Sequence, residues 1–227
     1  MQQQPNKAKP EILLLDKPGI RVRKDVSFYE VVATFDTRPV TANEAATDTD
    51  PILAVLSSHA FLETLMGHLL THFCIRCERQ VIDANRSSMF VLFAPFFRDL
   101  GIAQKFMSIQ LHQMILRECN ASGRNVTQVY HFIERADLPA QHATEAVAEE
   151  WEQCAFQSMQ VWFERMPSAK ATAKATTSAS ASAQIQITIK VIVPDMETDE
   201  AQLMEKLTCL LLHKVHKKMN DYIQSLK

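Results

Sequence analysis

Glycine is scarce: the 227 residues contain four, Gly19, Gly67, Gly101 and Gly123. No two lie close enough to build a dinucleotide fingerprint, a phosphate-binding loop or a nucleophile elbow, each of which needs glycines for tight turns and close backbone approach. Those enzyme classes are excluded in their standard forms. A dominant charge is also missing: 24 Lys and Arg stand against 26 Asp and Glu, for a net charge of -2 and a pI of about 6.4, so overall charge does not favour a polyanionic partner. Long apolar runs are absent as well. The opening MQQQPNKAKPEILLLDKPG offers only ILLL where a secretory signal needs a longer apolar core. The longest run, Met89 to Phe97, is far below the ~20 residues that span a bilayer. Five cysteines (Cys74, Cys77, Cys119, Cys154, Cys209) are an odd number in apolar surroundings. They read as reduced thiols and point to the nucleus or the cytoplasm rather than to a disulfide framework. On the same reading, the Asn-x-Ser/Thr triplets at Asn85, Asn120 and Asn125 are chance matches.

What is present is an ordinary globular composition, 47% hydrophobic and 22% charged, enough for one domain with an extension. Residues 1–18 are polar with three prolines and read as a flexible arm. Ile20 to Phe35 is rich in β-formers and reads as strand, within an N-terminal extension over 1–50 that holds a possible strand pair. Asp50 and Pro51 then suit a helix start. Apolar residues at helical spacing predict one long helix from Ile52 to about Arg79. Pro95 interrupts the next stretch, and a short helix over 96–107 follows. Ile109–Leu116 and Val126–Ile133 flank the turn signal NASGRN and predict a hairpin. Val147, Trp151, Cys154, Met159, Trp162 and Phe163 form a stripe that predicts a second long helix over 142–166, with acidic residues at its start and Pro167 at its end. The polar segment 168–183 is low-complexity and reads as a mobile loop. QIQITIKVIV (184–193) alternates with period two and predicts a strand. The tail after Pro194 fits helix or strand; Leu207, Cys209, Leu211, His213 and Val215 alternate, while Leu203, Leu207, Leu210 and Leu211 suit a helix.

Few constellations could carry chemistry. His68, His72, Cys74 and Cys77 are a zinc-like ligand set. On one helix at roughly 100° per residue the two cysteines fall on the side away from the histidines, so no metal site is expected unless the helix breaks before Cys74. His213 and His216 lie among Lys214, Lys217 and Lys218 and read as a solvated basic face. No local signature marks a catalytic nucleophile. No enzyme activity, cofactor or metal is expected. Trp151 and Trp162 read as core or as a protein contact surface.

The order of these elements resembles the HORMA domain, the fold of the mitotic-arrest-deficient spindle-checkpoint adaptor. ASGRNVTQVYHFIERAD is similar to that family's second hairpin strand, with Tyr130 and Phe132 at its aromatic positions. QIQITIKVIVPD is similar to its central strand, and LLLHKVHKKMNDYI to the adaptor's C-terminal stretch. The resemblance implies an α+β fold: a central antiparallel sheet packed against three helices over 51–227. It further implies a non-enzymatic adaptor for checkpoint or genome-maintenance signalling, which captures a short peptide of a protein partner as an added strand beside 184–193. The C-terminal segment would close over the peptide as a clasp. The partner-binding residues would then be Ile185, Ile187, Ile189, Val191, Leu211, His213 and Val215, with Trp151 and Trp162 on a dimerisation helix at 142–166. Neither a membrane nor a nucleic acid is expected as a partner. Two other readings stay open: an α/β scaffold subunit held in a larger assembly through 142–166, including clasp-less members of the same family, and a metal or thiol enzyme built on 68–77.

Overall fold

The computed structural model describes residues 12–25, 27–37, 51–95, 101–119, 125–166, 183–193 and 199–226. Three N-terminal strands, β1 (Ile12–Lys17), β2 (Ile20–Lys24) and β3 (Phe28–Thr37), are followed by two short helices, α1 (Pro51–Leu56) and α2 (His59–Thr64). A π-helical stretch, Leu65–Leu69, continues α2. Then come β4 (Cys74–Val81), β5 (Arg86–Phe93), β6 (Lys105–Cys119) and β7 (Asn125–Arg135). Helix α3 (Ala143–Ala148), the two-residue β8 (Glu152–Gln153), β9 (Ser158–Met166), β10 (Ala183–Ile192) and helix α4 (Asp199–Ser225) complete the chain. All ten strands belong to one sheet of order β1-β2-β3-β10-β9-β7-β6-β5-β4, with β8 beside β6. Every pairing along that path is antiparallel.

Strand β10 explains the architecture. The alternation seen in its sequence puts Ile185, Ile187, Ile189 and Val191 on one face, in register with Phe35, Ala33, Val31 and Tyr29 of β3 and with Arg165, Phe163, Val161 and Met159 of β9. Because pairing neighbours share a face, one apolar stripe runs across the middle of the sheet, and Ile185 and Ile187 are almost fully buried in it. Burying each contributes roughly 2 kcal/mol. A slip of one residue would turn the whole stripe to the other face.

Helices cover this inner face. In α4, Leu212, Val215, Met219, Tyr222 and Ile223 recur at three- and four-residue spacing and pack into the same core as Ile52, Leu53, Leu56 and Phe61 of the earlier helices. Polar ties of α4 include the Lys24–Glu205 ion pair (2.7 Å), the Tyr29 hydroxyl donating to Glu205 (2.6 Å), and contacts of His216 and Gln224 with the carbonyl oxygens of Thr34 and Asp36. A partly exposed ion pair is worth about 1 kcal/mol or less, so apolar packing by Met219 and Ile223 holds the helix.

The structure corrects several expectations. The helix predicted over 52–79 ends early. Ser58 caps a new helix after α1, its side chain accepting from the Phe61 amide, and the chain is extended from Cys74. The helix predicted over 142–166 stops at Ala148. Glu150 takes a left-handed conformation (φ 53°), and 158–166 form a strand. There Val161 and Phe163 face inward and Trp162 outward, so the same apolar residues satisfy period two once β7 and β10 flank them. Residues 105–107, expected in a short helix, open β6, and 12–17, expected in an arm, form β1. Segments 1–11, 96–100 and 168–182 lie outside the described residues. The hairpin around NASGRN is present, with Ile115 opposite Val129, and the tail is helical. Strand β3, which precedes residue 50, pairs with β10 over its full length. A central sheet packed against three helices, the HORMA arrangement, is replaced by a ten-stranded sheet with one long helix and short ones.

The turn joining β1 to β2 carries Pro18 and Gly19, and Gly19 has φ +79°. A Cβ there would lie 2.8 Å from His216 Cε1 on α4 and 3.3 Å from the Thr34 carbonyl oxygen. Gly19→Ala is expected to destabilise the protein by roughly 2 kcal/mol in urea unfolding, through the left-handed backbone and the displaced imidazole. Gly67→Ala, which meets nothing within 4 Å, is expected to lose nothing. Equal midpoints for the two variants would contradict this account.

Candidate functional site

The inner face of the sheet and its helical cover enclose a core whose walls are apolar: Val31, Phe35, Ile109, Val129, Phe163 and Ile187 are all nearly inaccessible. Polar groups inside such a layer carry information, because burying one without a partner costs about 1–3 kcal/mol. A small group of them sits where the start of α2 meets β5 and β7. His131 is only 1% exposed, on the inward face of β7 between Val129 and Ile133. Its ring packs edge-on against Phe163 (5.3 Å between centroids) and T-shaped against His59 (5.3 Å). The Nδ1 of His59 lies 3.1 Å from the buried Ser87 hydroxyl of β5. Gln113 on β6 donates to the Ser57 carbonyl (2.9 Å), and the Ser57 hydroxyl donates to the Leu53 carbonyl (2.7 Å). This leaves the Nε2 atoms of both His59 and His131 buried with no hydrogen-bond partner.

Burial disfavours the charged form of both rings. Burial, with a smaller push from His59, lowers the His131 pKa to about 4, against a weaker opposing hydrogen bond to the Ser57 backbone. Burial, with Arg79 and His112 nearby, also lowers His59. An uncharged imidazole is the form an apolar interior tolerates.

The expected binding residues divide unequally. Ile185, Ile187, Ile189 and Val191 come together with Val215 of α4 in the inner core. They do not form a peptide-binding edge, because β10 is hydrogen-bonded to β3 on one side and β9 on the other. Capture of a partner strand beside 184–193 is thereby overturned: no edge is free for added backbone hydrogen bonds. Leu211 is half-buried and His213 exposed on α4, which is a helix lying on the sheet and not a clasp. Trp162 faces outward on β9, opposite Thr188 and Tyr130. Trp151 follows α3 and packs near Phe90 (6.2 Å) and the Arg76 guanidinium (6.0 Å) on the outer face. There the bidentate Arg76–Glu145 pair and His142 stacked on Phe90 fasten α3 to the sheet. An open groove of about 570 Å³ beside them is lined by Phe106, Leu138, Val147 and Trp151.

The chain does break before Cys74, but among the described residues no group of three His, Cys, Asp or Glu could hold a metal ion. Cys74 is buried and Cys77 half-buried, and burial pushes the Cys77 thiol up to about 12. Burial raises Cys74, Cys154 and Cys209 as well. None is a ready thiolate. Sequence reasoning missed His59, Ser87 and His131. The signal for His131 was present: once 126–133 is read as a strand, its phase places a histidine between Val129 and Ile133 on the apolar face.

No protein-family model and no curated protein matches the chain. Solved structures do. The lipid transfer and protein localization domain of human StarD13 matches with a TM-score of 0.50 at 6% identity, covering 93% of this chain and 90% of that one. Human STARD10 matches with a TM-score of 0.47 at 9% identity, covering 94% of this chain and 74% of that one. The fold is START-like. The HORMA resemblance is corrected by this match and by the pairing of β10, and the adaptor role, peptide partners and checkpoint setting that it implied fall with it.

The neutral histidines make stability depend on pH. A histidine whose folded pKa is depressed favours the folded state most above its unfolded value of 6.5, and that contribution is lost as pH falls toward the folded value of about 4. From pH 7 to pH 5, His131 alone is expected to remove roughly 2 kcal/mol of unfolding free energy. Denaturant unfolding at both pH values, on the wild type and on His131→Phe, checks this. An identical pH slope in the two proteins would refute it.

Proposed function

We propose that this chain is a binding protein for an apolar, lipid-like molecule, held between the inner face of the sheet and the helices α1, α2 and α4. The observation that carries the reading is the correspondence of nearly the whole chain to a domain described as lipid transfer, together with a sheet whose inner, helix-covered face is apolar. Fold alone does not fix function, and two features of this chain add support. The inner layer is closed by separable helices rather than by a second sheet, so a guest can enter by displacing one of them. The Lys24–Glu205 ion pair that ties α4 to the sheet is partly exposed, and the helix is otherwise held largely by the apolar contacts of Leu212, Val215, Met219 and Ile223. That contact is the kind a lipid chain replaces.

The same reading proposes that the chain is not an enzyme. All four described thiols are held protonated by burial. The Ser87–His59 contact is partly buried, with the far nitrogen of His59 bound to no orienting group. We further place the protein in the cytoplasm or nucleus, where its free thiols stay reduced.

The test is extraction from membranes. The full chain is mixed with liposomes of phosphatidylcholine, a neutral sterol and a free fatty acid, separated by size and weighed by native mass spectrometry. A protein peak heavier by the mass of one lipid is expected. Recovery of the bare protein mass alone would overturn the proposal.

A further inference from the structure

We infer that the outer face of the sheet carries a second binding site, which takes a neutral oligosaccharide by stacking a sugar ring on Trp162. The site lies on the opposite side of the sheet from the apolar interior and does not depend on what that interior holds.

Strand register builds the site. Residues opposite one another in paired strands share a face. Met114 of β6, Tyr130 of β7, Trp162 of β9, Thr188 of β10 and Val32 of β3 therefore form one row across five strands. At about 4.8 Å between strands, the row is roughly 19 Å long. Phe132 and Gln160 lie along one side of it, and Gln128, Gln186 and Thr34 along the other. Among the described residues, Tyr130, Phe132 and Trp162 pack into neither of the two buried apolar clusters. The half-buried indole of Trp162 makes no hydrogen bond and no ring contact with them. Trp151, by contrast, packs near Phe90 and the Arg76 guanidinium. An indole set in the middle of a water-facing sheet, outside both clusters, offers its face for stacking.

The groups around that indole choose the ligand. Cations of this face are already engaged: Lys190 sits 3.9 Å from the centroid of the Phe28 ring, Arg23 pairs with Glu30 at 3.6 Å, and Arg21 pairs with Asp16 at 3.4 Å. Glu164 takes the next outward position on β9, opposite Gln128 and Gln186. A polyanion would thus gain little counter-charge and would meet a like charge. Polar neighbours of the row include the carboxamides of Gln128, Gln160 and Gln186, and each carboxamide presents a donor and an acceptor side by side. Two of them are tied in place, Gln128 accepting from the Tyr130 hydroxyl at 2.8 Å and Gln186 donating to the Thr188 hydroxyl at 3.4 Å. A plain hydrocarbon laid on the row would take water from these amides and return no hydrogen bond. A sugar ring has both halves that the face asks for. Its C–H face suits the electron-rich face of the indole, and its hydroxyls each donate and accept.

The experiment follows the two indole N–H signals of the full ¹⁵N-labelled chain by NMR while cellohexaose, maltohexaose or laminarihexaose is added. The Trp162→Phe variant assigns the signals by deleting one. With at least one of the three sugars the Trp162 signal is expected to move and saturate, with a Kd of about 1 mM or tighter, while the Trp151 signal stays fixed. In calorimetry, Trp162→Ala is expected to weaken binding of that sugar about ten-fold. Gln160→Ala, at an exposed position, is expected to weaken it about three-fold and keeps the test open if the tryptophan variant fails to fold. A Trp162 signal unmoved by all three sugars would overturn the inference, and so would undiminished binding by folded Trp162→Ala. Tighter binding of single-stranded decathymidylate than of any sugar would also overturn it and would make the face a base-stacking surface. None of these outcomes touches the reading of the interior, which extraction from liposomes tests separately.

Discussion

The structure depends on the double pairing of β10. A strand hydrogen-bonded on both sides has no free edge, and its side chains must divide between two faces. Here the division is unequal: isoleucine and valine on one face, Gln184, Gln186, Thr188 and Lys190 on the other. That asymmetry decides which face of the sheet is covered. Once β3 and β9 dock in register, Val31, Ala33, Phe35, Val161 and Phe163 extend the apolar stripe, and α1, α2 and α4 lie on that side. The position of α4 and of the short helices α1 and α2 follows from this, and so does the enclosure of His59, Ser87 and His131.

Much of this was legible in the sequence, and the failures share one physical cause. The period-two pattern of 184–193 and the hairpin around NASGRN are local, and local signals survive into the fold. Residues 158–166 carry an apolar set that satisfies two periods: Met159, Trp162 and Phe163 suit a helix, while Met159, Val161 and Phe163 suit a strand. The choice is made by neighbours distant in sequence, β7 and β10, and tertiary pairing overrides propensity. Residues 74–81 repeat the case. They were read as the end of a helix because the apolar run before them is helical, yet the chain turns at Leu70–Phe73 and Cys74 opens an edge strand.

The resemblance to a peptide-clasping domain failed for a related reason. It rested on the order of elements, and two of those elements changed type. With 142–166 turned from a helix into a short helix plus a strand, the strand left over occupies the side of β10 that a peptide would need. The N-terminal strands, set aside as an extension, fill the other side. Residues assigned to peptide binding thus remained important while changing role: Ile185 to Val191 and Val215 form the apolar wall of an interior instead of the rim of a groove.

The polar cluster inside that interior is costly for the fold. Two imidazoles each keep a buried ring nitrogen without a partner, and buried polar atoms without partners are rare because each weakens the folded state. The cluster is nevertheless supported from several directions. Gln113 and Ser57 fix the turn between α1 and α2, Ser87 faces one ring, and Phe163 holds the other edge-on. Support of that kind orients a group rather than merely tolerating it. Under the proposed function, the stability given up to hold these atoms in an apolar layer is recovered when a bound molecule pairs with them, and the apolar wall around them is then its other contact.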